Sequence, residues 1–249
     1  MAFRLFSKKK PEKRRKIKHI VGKITKKKVE KVERKVEKEV RKIVVDKLPD
    51  EKAYEIVRKF KIPVADTIFV KKQDELERAL KKIGYPCVMK VSGAIIHKTE
   101  VEGVVTNIAD RLKAVEVFNR LIKIKGAEKV IVQKQIHGEE LIIGSKKDSQ
   151  FGYVVVAGLG GIFVETLKDV VFRVCPISLQ DAEEMIKELK GYDILKGVRG
   201  SKPINFSSLY EIITKISHLT LSEKIKELDI NPLLCNEHGC FVVDIRIVK

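Results

Sequence analysis

Residues 88–105 read VMKVSGAIIHKTEVEGVV, and they bring Lys90, His97 and Lys98 into one short stretch. An apolar, strand-like run ends at Lys90. Small and apolar residues follow, carrying His97 and Lys98, and then Glu102 and Gly103 lead back into valines. A neutral imidazole is a nucleophile near pH 7. Ammonium groups beside it neutralise phosphoryl oxygens. The same residue types also suit a polar surface hairpin, so the stretch alone leaves both readings open.

A second constellation lies near the C-terminus. IKELDINPLL and CFVVDIRIV flank the turn NEHG, Asn236 to Gly239. If Asn236 pairs with Gly239, opposed positions in the hairpin sum to 475. Asn231 then faces Asp244, and Asp229 faces Arg246. Residues two apart share a strand face, so all four polar groups gather on one side of an apolar hairpin. Buried polar groups need partners. A carboxylate opposite an amide oxygen is a hard-oxygen pair suited to Mg²⁺. The competing reading is a structural Asp229–Arg246 salt bridge, with Asn231 shaping the chain before Pro232.

Two weaker signals lie between them. VVVAGLGGIFVE has glycines at 158, 160 and 161, after a strand but with no helix following. Such glycines let backbone N–H groups approach a phosphate or another chain closely, here Gly160 and Gly161. Glu165, Asp169 and Arg173 follow at four-residue steps, and Arg173 joins the candidate nucleotide set. In VIVQKQIHGEELIIG, Gln133 to Ile136 can offer backbone groups to a planar base, with Lys134 making the hinge basic. Glu140 starts the next strand, where it can receive ribose hydroxyls. Pockets favour such junctions.

The elements that must position these groups are read from periodicity and punctuation. Helices are expected over 51–60, 74–84, 110–126, 178–191 and 206–223, with Asp50, Asp110 and Ser178 as caps. Strands are expected for YPCVMKV, VEGVVTNI, EKVIVQKQI, EELIIGSKKD, GYVVVAGLGG, IFVETL and the final hairpin. Strands and helices that do not alternate strictly point to an α+β or mixed α/β fold.

The 249 residues are 44% hydrophobic and carry a net charge of +18. The first 50 residues hold 20 Lys and Arg against 7 Asp and Glu, and the rest hold 32 against 27. The basicity therefore belongs mainly to an N-terminal arm. Val29, Val32, Val36, Val40 and Ile43 form one apolar stripe along it. That arm suits a docked helix, a nucleic-acid or anionic-surface contact through residues 1–46, or a disordered tail. No apolar run approaches the roughly 18 residues needed to span a bilayer. With no apolar segment of the secretory kind near the N-terminus, a cytoplasmic chain is expected. Cys87, Cys175, Cys235 and Cys240 are expected to be unbridged thiols, mostly buried.

Taken together, YPCVMKVSGAIIHKTEVEGVV, VQKQIHGEELIIG, DSQFGYVVVAGLGGIFVETLKDVVFRVCPIS and ELDINPLL…FVVDIR resemble the ATP-grasp (β) subunit of ADP-forming acetyl-CoA synthetases. These belong to the nucleoside-diphosphate-forming acyl-CoA ligases, and the resemblance covers about residues 50–249. It implies an ATP-grasp fold of two subdomains with the nucleotide between them: a basic helical extension over 1–49, a small subdomain over 50–135 and a large one over 136–249.

The resemblance also implies an activity. Phosphate passes between a phosphohistidine and ADP/ATP with Mg²⁺, in the interconversion of acyl-CoA and free acid. His97 matches the transiently phosphorylated histidine and Lys90 the phosphate-binding lysine. Gln133 and its neighbours match the adenine hinge, and Glu140 the ribose-side glutamate. Asn231 and Asp244 match the Mg²⁺ ligands, and Asp229 an acidic residue that orients the incoming phosphohistidine. A CoA-binding α subunit is the implied partner, in an α2β2 assembly. Two positions depart from the family pattern. Gly93 stands where proline is common, and Glu102 replaces the first of two glycines, bringing a negative charge toward a phosphate site. Those departures and the basic arm leave open a second reading, a non-catalytic nucleotide-binding module whose arm holds nucleic acid or a protein.

Overall fold

The computed structural model describes residues 47–95, 98, 101–161, 169–198 and 202–249, and residues 46–249 form one compact unit. The basic arm with its valine stripe, the segment IFVETL and His97 lie outside the described residues.

Two antiparallel sheets organise this unit. The first contains β1 (Thr67–Val70), β2 (Cys87–Gly93), β3 (Val104–Ile108) and β4 (Ala127–Lys134), in the order β1-β4-β2-β3. Helices α2 (Gln73–Ile83) and α3 (Arg111–Leu121) cover one face. Leu76, Ala79 and Leu80 of α2 and Ala114, Val117, Phe118 and Leu121 of α3 share a core with Val70, Cys87, Met89, Val130 and Val132. The three- and four-residue spacing of those helical positions is what gives each helix an apolar face. Asp110 caps α3 by accepting the Lys113 N–H at 2.8 Å. That helix ends at Leu121, earlier than the expected 126. Gly126 instead has φ +90° in the turn before β4.

The second sheet contains β5 (Glu139–Asp148), β6 (Gly152–Leu159), β7 (Val170–Val174), β8 (Glu227–Asn236), β9 (Gly239–Val242) and β10 (Ile245–Val248). Its order is β10-β8-β5-β6-β7, with β9 also paired to β8. Leu141, Ile143, Val155, Ala157, Leu228 and Ile230 alternate into its core. Against them pack α4 (Leu179–Lys187), the short α5 (Tyr192–Leu195) and α6 (Phe206–Ser222). Ser178 caps α4 in a reciprocal box with Asp181. Strand β7 was not among the expected elements.

Helix α1 (Asp50–Lys59) buries Ala53, Tyr54 and Val57 in the core of this second sheet, although it precedes the first sheet in sequence. Contrary to the expectation from sequence, Asp50 does not cap it. Pro49 occupies the cap position and Asp50 is the first helical residue. No helix among the described residues is long and apolar enough to cross a membrane.

Cys235 and Cys240 differ from expectation by forming a disulfide, while Cys87 and Cys175 are free. The hairpin register puts the two directly opposite, with a Cα–Cα distance of 4.0 Å. That narrow spacing marks a pair that exchanges no ladder hydrogen bonds and brings side chains together.

Candidate active site

The hairpin arithmetic fixes the centre of the site. Observed pairs Asn236↔Gly239, Leu233↔Val242, Ile230↔Ile245 and Asp229↔Arg246 all keep the constant sum. Between the second and third of these the ladder opens, and Val243 and Asp244 belong to no strand. Hydrogen-bonded and non-bonded pairs alternate along an antiparallel ladder. Counting from the narrow Cys235–Cys240 pair, position 243 is due a hydrogen bond from position 232. Pro232 has no N–H to give.

The Val243 carbonyl takes three other donors instead. Tyr54 Oη donates at 2.6 Å, Lys90 Nζ at 2.8 Å and Gln133 Nε2 at 3.2 Å. The β5–β8 register also slips by one residue between Leu141 and Ile143, so Asn231 and Pro232 form a bulge. Bulges re-aim side chains, and Asn231 is exposed here.

Asp244 meets the residue after His97. Lys98 Nζ lies 2.7 Å from Asp244 Oδ1, and the Ile245 N–H donates to the same oxygen at 3.1 Å. The Lys98 ammonium also stands 3.7 Å from Asp50 Oδ2, while Lys47 Nζ is 3.0 Å from Asp50 Oδ1. Burial alone would lower the Lys98 pKa, but the carboxylates of Asp244 and Asp50 outweigh it and hold it raised. Burial would likewise raise Asp244, and Lys98 with Lys90 holds it below the ordinary carboxylate value. Among the described residues Lys90 has no such carboxylate contact. Burial pushes it down to about 8, against a partial counter-pull from Asp244. The backbone keeps Lys98 in place through Gly103, whose N–H donates to the Lys98 carbonyl at 2.7 Å. A Cβ on Gly103 would stand 2.8 Å from that oxygen.

A cavity of about 410 Å³ adjoins this cluster, within the size range of small-molecule sites. Lys90, Gln133, Lys134 and Glu140 line it, with Gln135 to Gly138 between the sheets and Val243 on its wall. Gly160 and Gly161 lie against Glu140. The Gly160 N–H donates to the Glu140 carbonyl at 2.6 Å, and a Cβ on Gly161 would be 3.4 Å from Glu140 Oε2.

Gln133 is placed differently from the hinge reading. Its backbone lies inside the first sheet, paired on both sides, and its buried amide donates to Thr67 Oγ1 at 2.9 Å. The chain leaves the ladder only after Lys134, so backbone edges open to a base begin at Gln135.

Arg173 is not brought to the site. It pairs with Val155, a core position, and its guanidinium contacts Glu188 just beyond α4. The Asp229–Arg246 salt bridge is also absent from the described contacts, because Arg246 engages Glu227 instead. Burial raises the Asp229 pKa, and Arg246 offsets this only in part. Glu102 does not crowd the cluster. Its side chain is 89% exposed and lies 3.6 Å from Arg120.

Among the described residues no group of three or more His, Cys, Asp or Glu can cage a metal. Asn231 and Asp244 nevertheless fit Mg²⁺ in kind. They offer one amide and one carboxylate oxygen across a hairpin, and Mg²⁺ keeps other positions for waters and phosphates. Lys98 shows that Asp244 already holds a cation there. Tyr54, Asp50 and Lys47 were missed by sequence reasoning. An acidic residue at the start of a helix whose apolar face includes Tyr54 was the available signal.

Comparisons with known proteins agree with this architecture. A family pattern described as an ATP-grasp domain matches residues 39–248. The chain is 43% identical over 211 residues to acetate–CoA ligase [ADP-forming] I subunit beta of Pyrococcus furiosus, covering 81% of this chain and 91% of that protein. It is 42% identical over 195 residues to acetate–CoA ligase [ADP-forming] II of Archaeoglobus fulgidus, covering 78% of this chain but only 29% of that longer protein. Among solved structures, acetyl-coenzyme A synthetase 1 of Ca. Korarchaeum cryptofilum, in complex with coenzyme A and Ca-AMPCP, superposes with a TM-score of 0.78. The identity is 35%, over 82% of this chain and 93% of that one. A second structure of that enzyme, with coenzyme A and Mg-AMPPCP and its phosphohistidine segment pointing towards the nucleotide site, gives 0.72 at 32% identity, over 84% and 99%.

Proposed function

The chain belongs to the ATP-grasp family, and we propose that it is the nucleotide-binding β subunit of an ADP-forming acyl-CoA ligase. It would pass phosphate between a phosphohistidine and ADP/ATP. The observation that carries this reading is the convergence of Lys90, Lys98 and Asp244 beside a cavity whose other end is the 134–138 hinge. Positive charge stands at one end, and backbone edges with Glu140 stand at the other. That polarity matches a nucleotide with its phosphates toward Asp244.

In this reading the two sheets are the two lobes of the clasp, divided near residue 135. Gln135 and Ile136 offer backbone edges to the base, and Glu140 faces the ribose. Lys90 and Lys98 neutralise phosphoryl oxygens as charge moves between donor and acceptor. Gly160 and Gly161 keep the wall beside Glu140 free of side chains. Asn231 and Asp244 would hold Mg²⁺, which supplies charge neutralisation across the nucleotide phosphates. His97 carries the phosphoryl group between the partner and the nucleotide, and Asp229 orients the incoming imidazole.

The partner is a CoA-binding α subunit, supported by the β-subunit names of the Pyrococcus relatives. An α2β2 assembly working in the cytoplasm completes the proposal. Its test is phosphate transfer from γ-labelled Mg-ATP to the chain, alone and with a cognate α subunit, beside His97→Asn. An acid-labile, base-stable label lost in the variant is the expected result. No label on either protein under both conditions, with Mg-ADP still bound, would reject the relay.

A further inference from the structure

Asp50 has no assigned part in nucleotide chemistry, yet its side chain is 1% exposed. Among the described residues neither of its oxygens accepts a hydrogen bond from a backbone N–H or a neutral side chain, so only ammonium groups stand against it. A carboxylate taken out of water needs a cation, and two ammonium groups are aimed at it. Lys47 is 3.0 Å away but is also held by the carbonyls of Gly93 and Ile95, at 3.3 Å each. Lys98 is 3.7 Å away and leans toward Asp244 at 2.7 Å. One ammonium thus stands between two carboxylates, with its shorter contact on the residue proposed to hold Mg²⁺.

A divalent cation on Asp244 competes with Lys98 for the same oxygen and repels its charge. Among the described residues the second carboxylate within reach of the ammonium is Asp50, at 3.7 Å. We propose that Asp50 is a positioning residue that receives Lys98 when Asp244 turns to a cation–nucleotide complex, so that Lys98 stays in the site. The inference rests on the ATP-grasp reading given above and concerns how this chain makes room for the metal. Lys47 stabilises Asp50 throughout and ties it to the end of β2.

The test measures binding by calorimetry, with ADP and either Mn²⁺ or no metal, on the full chain. Asp50→Asn leaves Lys98 with Asp244 alone. Its affinity for Mn-ADP should fall about tenfold, while metal-free ADP binds as in the wild type. Asp50→Glu should restore most of the loss. Lys98→Met removes the competitor, so free Mn²⁺ should bind more tightly than to the wild type, and Asp50→Asn should then have no further effect on it. Equal Mn-ADP affinity in the wild type and Asp50→Asn would overturn the proposal. So would an effect of Asp50→Asn on free Mn²⁺ binding that persists in the Lys98→Met background. Should Asp50→Asn not fold, Lys98→Met alone decides, and Mn²⁺ binding no tighter than in the wild type rejects the idea. A wild-type chain that binds no ADP with or without metal would instead overturn the nucleotide reading, and this inference with it.

Discussion

Lys90 on the first sheet donates to the carbonyl of Val243, 153 residues away on the edge of the second, at 2.8 Å. This ammonium is buried with no carboxylate contact among the described residues, and burial pushes its pKa down to about 8. The unfolded value is about 10.4. Between those two values the unfolded chain binds more protons, so this group's contribution makes stability rise with pH there. Below pH 8 the folded protein carries a buried charge. Lys90→Met should therefore stabilise the apo protein at pH 7 by about 1 kcal/mol, after allowing for one lost hydrogen bond. It should also flatten the rise between pH 8 and pH 10. ADP affinity should fall at least about tenfold, and in the wild type it should weaken above pH 8 as the ammonium is lost. Urea denaturation at pH 7 and pH 9, with ADP calorimetry, checks all three.

Glu102 has φ +49° in a turn where the family pattern has glycine. That conformation costs a residue with a Cβ roughly 1 kcal/mol. Its exposed pairing with Arg120 returns little. Glu102→Gly should stabilise the protein by about 1 kcal/mol and leave nucleotide affinity within twofold or so. A lower melting temperature would show that the turn depends on the Arg120 contact.

Gly138 closes the hinge against β8. A Cβ there would stand 2.3 Å from the carbonyl oxygen of Cys235, which is backbone and cannot swing aside. Gly138→Ala should cost about 2 kcal/mol and weaken ADP binding more than it weakens metal binding, because the shift falls on the base side of the cavity. An unchanged melting temperature would mean that the two backbones part freely.

Tyr54 is one of three donors to the Val243 carbonyl and is itself fully buried. Tyr54→Phe leaves the carbonyl its other two donors, so no acceptor is orphaned. The expected cost is about 1 kcal/mol. A loss above 3 kcal/mol or so would show that the hydroxyl holds α1 in place, since it also accepts from Gln133 at 3.4 Å.

Much of this site follows from local rules. The turn Asn236–Gly239 fixes a register, and that register sets Asp229 opposite Arg246 before any tertiary contact is known, although the ladder opens at Asp244 and a bulge re-aims Asn231. Caps at Asp110 and Ser178 are equally local. What failed depended on distant packing. Arg173 has a plausible spacing, but strand alternation turns it toward Glu188. Gln133 has the right neighbours, yet two flanking strands take its backbone and Tyr54 with Thr67 takes its amide. The pairing of Arg246 with Glu227 rather than Asp229 is a choice between two nearby carboxylates that register alone does not make. Asp50 reads as a helix cap until the loop bearing Lys98 is folded onto it.

Pro232 gives the fold a consequence beyond its own strand. By withholding an N–H from β8, it leaves one carbonyl on the second sheet unclaimed by its neighbour strand. A lysine and a glutamine of the first sheet, with a tyrosine from α1, answer that vacancy. The seam between the two sheets is thus fastened at a gap in one of them, and one fastener is an ammonium suited to anions. Whatever anion draws Lys90 away unfastens part of that seam, so occupancy of the cavity and stiffness of the joint are set by the same side chain.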